Sequence, residues 1–323
     1  MKRGVILAAL LGVAAAALVV AWGDAPAVLR ALAGFPPLYV VPVLLLTLWN
    51  YALRFVRWHV YLGILGVHGI SLTDSALVFL SGFAMGLTPG KSGELTKSYW
   101  LRELAGPERA PLARTAPIVF AERLVDGIAM LLLATAGLVS FRFGVLPLLA
   151  VAALAVAAIA LLQAPALIHG IHRRLAHRQR LARIAHMLDT AYDSARELLT
   201  GQRLAAAVTV GVLSWGGECV ALYVILLGLG AQPSLELLNQ ATFALAAGSL
   251  VGSASLLPGG IGAAEGTVAA VLDLVAHQPS AVAAAATLLI RLCTLWFGVA
   301  LGAVSLLLLT RKALSATPTA SPL

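Results

Sequence analysis

The sequence predicts an all-α polytopic membrane protein with two re-entrant helical hairpins and about six full spans. Of its 323 residues, 60% are hydrophobic and 11% are charged, and the mean hydropathy is +0.95. Such a chain has too few polar residues to cover the surface of a water-soluble globule. Two apolar stretches are broken by Pro-Gly loops, and an apolar segment with an arginine follows each of them. Broken helices and charges at membrane depth are costly unless a cavity uses them.

Six apolar segments approach or exceed the roughly 20 residues that a helix needs to cross the hydrocarbon core. The first follows Lys2 and Arg3 as a signal peptide would, but its apolar part is longer than a usual h-region, so we expect it to be retained. The segments are 4–22, 38–58, 112–139, 145–168, 204–229 and 281–309.

The first broken segment is too short to span the membrane before its Pro-Gly loop. Residues 73–87 are apolar, and Pro89 and Gly90 follow them. A second short helix is expected over 92–104, with Ser92 as its N-cap and Glu94 in its first turn. We therefore expect a hairpin that returns to the side from which it entered.

The second broken segment repeats this arrangement. Residues 237–257 and 261–276 flank a loop that begins at Pro258. Pro89 precedes Arg123 by 34 positions (123 minus 89), and Pro258 precedes Arg291 by 33 (291 minus 258). The near-equal spacing indicates two copies of one unit.

The positive charges predict how the segments cross the membrane. If both broken segments are hairpins and the N-terminus is cytoplasmic, 16 basic residues face the cytoplasm and only Arg30 and Arg142 face outward. That count includes Arg54 and Arg57 at the end of the second span. It satisfies the positive-inside bias of a plasma (inner) membrane protein with both termini cytoplasmic.

Three full spans then separate the hairpins, so the hairpins enter from opposite faces and the halves form an inverted-topology repeat. We expect one membrane domain over 1–323, with repeat 1 at 38–139, a connecting span and basic segment at 140–203, and repeat 2 at 204–310. Such repeats are typical of secondary transporters whose substrate site lies near the midplane. Residues 181–199 of the basic segment are expected to form either a helix on the inner leaflet or a solvated connector.

Four segments, in this order, resemble the flippase-like family, the membrane region that precedes the catalytic domain of lysylphosphatidylglycerol synthases. They are residues 79–97, 121–126 (Ala-Glu-Arg-Leu-Val-Asp), 257–265 and 290–292 (Ile-Arg-Leu). The resemblance implies movement of aminoacylated, other anionic or isoprenoid-linked lipids between leaflets. It implies no synthase activity, because the chain ends at Leu323 without the soluble transfer domain.

The arginines and the loops are the candidate substrate-binding residues. Each guanidinium can hold a phosphate through two hydrogen bonds, and glycines leave backbone N–H groups accessible at the start of a half-helix. A lysine in the first loop adds positive charge, although this lysine and Lys97 could equally extend to the membrane interface. The predicted residues are Arg123, Arg291, Lys91, Pro89, Gly90, Gly93, Pro258, Gly259, Gly260 and Gly262.

Four acidic residues are expected to neutralise these cations or to carry protons. They are Glu94, Glu122, Asp126 and Glu265. The alternative is a purely structural cluster, since Glu122, Arg123 and Asp126 lie within reach of one another on a helix. Glu218 is a further polar residue that we expect to line the site.

Lipid translocation is the leading interpretation. A small-solute or ion transporter is the alternative, and an intramembrane enzyme acting on lipid phosphate is disfavoured because the apolar segments contain no Ser/His dyad or metal-ligand cluster. The Gly90-Lys91-Ser92 run lacks the first glycine of a P-loop, since position 85 is Met85. We expect no catalysis, metal, cofactor or nucleic acid. The partners are membrane lipids, and homo-oligomerisation stays open.

Overall fold

The computed structural model describes residues 2–88, 93–138 and 179–316, with the single positions 149, 153, 156 and 157. These parts of the chain are helical and contain no strand, which confirms the all-α membrane class. Most of the predicted span at 145–168 and the loop residues 89–92 lie outside the described residues.

The helices before residue 139 contain the first broken segment. A 3₁₀ turn at Pro37–Tyr39 leads into the third of them. They are α1 (Lys2–Trp22), α2 (Ala25–Ala33), α3 (Val40–Ile64), α4 (Leu72–Met85), α5 (Thr96–Ala105), α6 (Leu112–Thr115) and α7 (Pro117–Leu138).

The helices after residue 178 contain the second broken segment. A 3₁₀ turn at Pro258–Gly260 forms its loop, and a π-helical turn at Leu292–Trp296 interrupts the last span. They are α8 (Gln179–Leu198), α9 (Gly201–Gly228), α10 (Leu235–Ala254), α11 (Ala263–Leu274), α12 (Ser280–Arg291) and α13 (Phe297–Ala316).

Within the described residues, three helical segments are long and apolar enough to cross a membrane: Pro37–Ile64, Gly201–Gly228 and Ser280–Ser315. The pair Gly12–Trp22 and Ala25–Ala33, bent by 103°, makes a fourth if it is counted as one span. Helix α7 has 22 residues and carries three charges, Glu122, Arg123 and Asp126, and it is not among these candidate spans. Multi-pass membrane association is therefore supported.

The helices that precede the loops of the two broken segments, α4 and α10, begin in the same way. Ser71 caps α4 by accepting a hydrogen bond from the Asp74 amide at 3.1 Å, and Ser234 caps α10 by accepting one from the Leu237 amide at 3.0 Å. Each helix also has an acid in its first turn, Asp74 or Glu236, where the helix dipole favours negative charge.

Each of these two helices packs against the last helix of the other half of the chain. Helix α4 packs against α13, α10 packs against α7, and the spans α3 and α9 pack against each other. Met130 and Ala134 of α7 share an apolar cluster with Leu250 of α10. The two halves therefore complete one another instead of forming separate cores.

Close contact between α4 and α13 depends on Gly302. A Cβ at this position would lie 2.5 Å from the backbone nitrogen of Ala84. We expect Gly302→Ala to lower stability in detergent by about 1–3 kcal/mol, because backbone cannot yield as a side chain can. The control is Gly216→Ala on α9, where a Cβ meets nothing within 4 Å. Equal melting temperatures for the two variants would contradict this packing.

The structure corrects two sequence predictions. Helix α5 begins at Thr96, so Glu94 lies before it in a 3₁₀ turn at 93–95 rather than in its first turn. Ser92, the predicted cap, lies outside the described residues. Helix α8 also does more than rest on a membrane surface, because its last residue, Leu198, and the following Leu199 are buried in a cluster with residues of other helices.

Candidate functional site

A cavity of about 340 Å³ lies between the two halves of the chain. Apolar and small residues form most of its wall, and six charged residues reach it from five separate segments. The charged ones are Arg54 of α3, Glu94 before α5, Arg123 and Asp126 of α7, Glu218 of α9, and Arg291 of α12. Gly259 and Gly260 of the second loop also line it. The structure thus brings both predicted arginines to one space.

Arg123 joins the first loop region to α7. Its Nη2 lies 3.1 Å from Oε2 of Glu94, and its Nη1 lies 3.8 Å from Oδ2 of Asp126. The Arg123 side chain keeps 29% of its surface exposed, while those of its partners are 8% and 7% exposed. The two acids position the guanidinium, and part of its surface stays exposed to the cavity.

Arg54 and Arg57 do not face the cytoplasm, contrary to the sequence prediction. Both are buried, and they approach Asp126 with N···O distances of 3.5 Å and 2.6 Å. The Arg54 guanidinium also lies over the rings of Phe83 and Trp215, at 5.5 Å and 5.4 Å from their centroids. Paired charges and aromatic faces are the surroundings in which a buried arginine is stable.

Lys97 and Glu122 form a second, deeper pair. The Lys97 Nζ lies 2.5 Å from Oε2 of Glu122, and their side chains are 3% and 0% exposed. The Lys97 Nζ is also 4.7 Å from the centroid of the Trp58 ring. Lys97 therefore does not extend to the membrane interface. Neither residue lines the cavity, which favours a structural role for Glu122.

Arg291 and Glu265 anchor the second loop. Arg291 Nε donates to Oε1 of Glu265 at 2.6 Å, and its Nη2 donates to the carbonyl of Gly259 at 3.0 Å. Glu265 Oε2 accepts a hydrogen bond from the Gly262 amide at 2.7 Å, which caps α11. Glu265 is thus a helix cap and an arginine partner at once.

Backbone donors of the second loop are less accessible than the sequence suggested. The amides of Gly260 and Ile261 bond to the carbonyls of Leu257 and Pro258, at 2.9 Å and 3.1 Å. Glu265 takes the amide of Gly262. Three positive φ angles, 63° at Gly259, 67° at Gly260 and 87° at Gly262, explain the need for glycine here. The side chain of Arg291, 17% exposed, is a donor beside this loop that lines the cavity.

A π-helical turn follows Arg291 directly. The Tyr51 hydroxyl of α3 donates to the carbonyl of Thr294 within this turn at 2.6 Å. The Asn50 amide donates to the Ser214 hydroxyl of α9 at 2.9 Å. Single π turns are frequent at functional sites, because they shift the register of side chains along a helix. These two bonds hold α3 against the π turn that follows Arg291 and against α9.

Other predicted residues have more modest positions. The Gly93 amide donates to the Thr88 hydroxyl at 2.6 Å, and Pro258 and Gly262 support the second loop without lining the cavity. Pro89, Gly90 and Lys91 lie outside the described residues. Tyr51, Arg54 and Trp215 were missed as site residues. Arg54 could have been noticed, because it lies before the end of an apolar span.

Comparison with known proteins matches most of the chain to one family. The family model described as the lysylphosphatidylglycerol synthase TM region matches residues 8–302. No curated protein matches the chain. The matched range includes both broken segments and all the residues that line the cavity.

Proposed function

We propose that this chain, which belongs to the lysylphosphatidylglycerol synthase TM region family, moves an anionic lipid between the leaflets of its membrane. A phospholipid and an isoprenoid-phosphate-linked lipid both fit the proposal. The observation that carries it is the cavity shared by Arg123 and Arg291, one arginine from each half. No step in this proposal makes or breaks a covalent bond of the lipid, so the protein acts as a translocator and not as an enzyme.

The two arginines suit a phosphate group. Their side chains are 29% and 17% exposed, so each keeps surface toward the cavity while it pairs with an acid. A guanidinium forms charge-assisted hydrogen bonds to phosphate that are about twice as strong as neutral ones. A cavity of about 340 Å³ has room for a headgroup and not for long acyl chains. The chains would stay in the bilayer.

The rim of the cavity favours a lipid over a small solute. Leu256 and Leu257 line the cavity and are 66% and 43% exposed. Leu256 also has a φ of 55°, a conformation that is costly for leucine and typical of functional loops. An exposed apolar rim beside partly exposed arginines matches an amphiphile. A small-solute or ion transporter with the same fold is the alternative.

We also propose that the two halves form an inverted repeat, with six full spans and cytoplasmic termini in the inner membrane. The serine caps of α4 and α10 support the repeat, and so does the reciprocal packing of α4 on α13 and α10 on α7. Inverted repeats with broken helices at a midplane site allow alternating access by one half moving against the other.

Cysteine labelling would test this topology. Leu72 and Leu235 stand at the start of α4 and α10 and are 62% and 81% exposed. In a background without Cys219 and Cys293, we expect Leu235→Cys to react with a membrane-impermeant thiol reagent in intact cells. Leu72→Cys should react only after permeabilisation. Labelling of both positions from one face would contradict the inverted repeat.

Reconstitution would test translocation itself. Liposomes containing the purified protein and tracer anionic lipid with a fluorescent acyl chain are treated with an impermeant quencher, and lipids are analysed afterwards for chemical change. We expect faster transfer of at least one anionic lipid, recovered unmodified. Uptake of a small anion without lipid transfer would support the alternative, and an altered lipid would indicate an enzyme.

A further inference from the structure

The described part of the chain buries five carboxylates, and four of them have a cation within ion-pairing distance. Glu94 faces Arg123, Glu122 faces Lys97, and Asp126 faces Arg57; Glu265 faces Arg291. The fifth is Glu218, 5% exposed. Among the described residues it has no ion pair or hydrogen bond through its carboxylate, although it lines the cavity.

Burying an ionised carboxylate without a partner costs several kcal/mol, so such a group tends to hold a proton. Each of the four paired acids has a cation within 3.1 Å that offsets this cost. Glu218 has no such partner among the described residues, and in this it differs from the four paired acids.

Charged and titratable groups approach Glu218 from each neighbouring helix. Tyr51 and Arg54 come from α3, Asp126 from α7, and Arg291 from α12. Cys219 follows it on α9, and Cys293 lies in the π turn. Helix α10 carries Glu236, which is exposed in its first turn and does not line the cavity. The two arginines influence Glu218 without forming an ion pair with it.

We propose that Glu218 carries one proton with each lipid anion that crosses the cavity. This inference rests on the proposed translocation and adds its energy source. In the empty, open cavity the carboxylate exchanges its proton with water. When a phosphate joins the arginines, the proton stays on the Glu218 carboxyl, and both cross together.

Charge balance supports this coupling. Among the described residues that line the cavity, three basic residues (Arg54, Arg123 and Arg291) stand against three acids (Glu94, Asp126 and Glu218). The net charge is zero with Glu218 ionised and +1 with Glu218 protonated. A lipid with one phosphodiester charge matches the protonated state. Proton binding and lipid binding therefore favour one another, and this linkage is reciprocal.

Co-transport of one proton with a monoanion is electroneutral. The lipid should thus collect on the alkaline side whatever the membrane potential. A gradient of one pH unit corresponds to a factor of about ten, so the steady-state ratio between leaflets should approach roughly tenfold.

The experiment uses liposomes with the full-length protein, tracer NBD-labelled phosphatidylglycerol and a lumen one pH unit more alkaline than the medium. Dithionite quenching gives the leaflet ratio. We expect roughly tenfold inward enrichment for the wild type, unchanged by a valinomycin-imposed potential. Glu218→Gln should still transfer lipid but give an even distribution. Glu218→Asp should regain asymmetry, and Glu236→Gln, the control on α10, should match the wild type.

Two results would overturn the coupling alone: a wild-type distribution that ignores the pH gradient, or wild-type asymmetry in Glu218→Gln. If Glu218→Gln cannot be purified, a pH-sensitive dye in the lumen of liposomes with the wild-type protein measures the proton flux instead. We expect one proton to move for each lipid transferred. A ratio of zero overturns the inference. A wild type that moves no lipid at all contradicts translocation itself.

Discussion

Replacing Arg123 or Arg291 with alanine is expected to slow protein-mediated transfer of anionic lipid by about 10- to 100-fold. Hydrogen bonds to charged groups contribute about 1.5–3 kcal/mol each, and 1.4 kcal/mol corresponds to a factor of ten. Both side chains line the cavity, and each belongs to a different half. The measurement is the initial rate of quencher accessibility for a tracer lipid in liposomes.

Matched variants separate substrate binding from structure. Arg291→Ala leaves Glu265 without its partner, so the double variant Arg291→Ala/Glu265→Gln removes both charges and should fold while remaining slow. Arg123→Lys keeps the charge but loses the planar fork, and we expect partial activity. Arg311→Ala, an exposed position at the end of α13, should match the wild type. Full activity of the double variant would refute the headgroup role of Arg291.

Replacing Glu122 with alanine is expected to lower the free energy of unfolding by about 3–5 kcal/mol, because it leaves a buried cation without its counter-ion. The Lys97 side chain is only 3% exposed, and Glu122 is its ion-pair partner at 2.5 Å. The measurement is unfolding of the purified protein in detergent, followed by circular dichroism.

Removing both charges tests the cause of that loss. The double variant Lys97→Met/Glu122→Leu should recover most of the stability, since apolar pairs of similar volume often replace buried ion pairs without cost. It should also transfer lipid, because neither residue lines the cavity. If the single variant Glu122→Ala is as stable as the wild type, the pair is not needed for folding. If the double variant is stable but inactive, Glu122 has a role in transport.

The sequence predicted the helices well because their signals are local. An apolar run with caps is visible in any window of 20 residues, and the predicted break at 258–260 is a 3₁₀ turn between α10 and α11. The two arginines were found because a charge in an apolar segment is conspicuous. The family prediction is confirmed by the match over residues 8–302.

Partners across the fold could not be predicted from local pattern. Arg54 and Arg57 lie near the end of an apolar segment, where a basic pair usually faces water, and only the approach of Asp126 from α7 explains their burial. The difference between Glu218 and the other acids is likewise invisible in the sequence. It depends on which cations the packing of distant helices brings within reach.

Because each half packs against the other, some helices must wait during biosynthesis until their packing partners have been made. Helix α4 ends at Met85, and its packing partner α13 begins at Phe297, 212 positions later (297 minus 85). At about 5–20 residues per second, the ribosome needs roughly 10–40 s to make that stretch. During this interval the α4 surface around Ala84, which Gly302 later covers, is open to lipid, to a chaperone or to another nascent chain. Packing of the first broken segment is thus a late event, although its residues are among the first to be made.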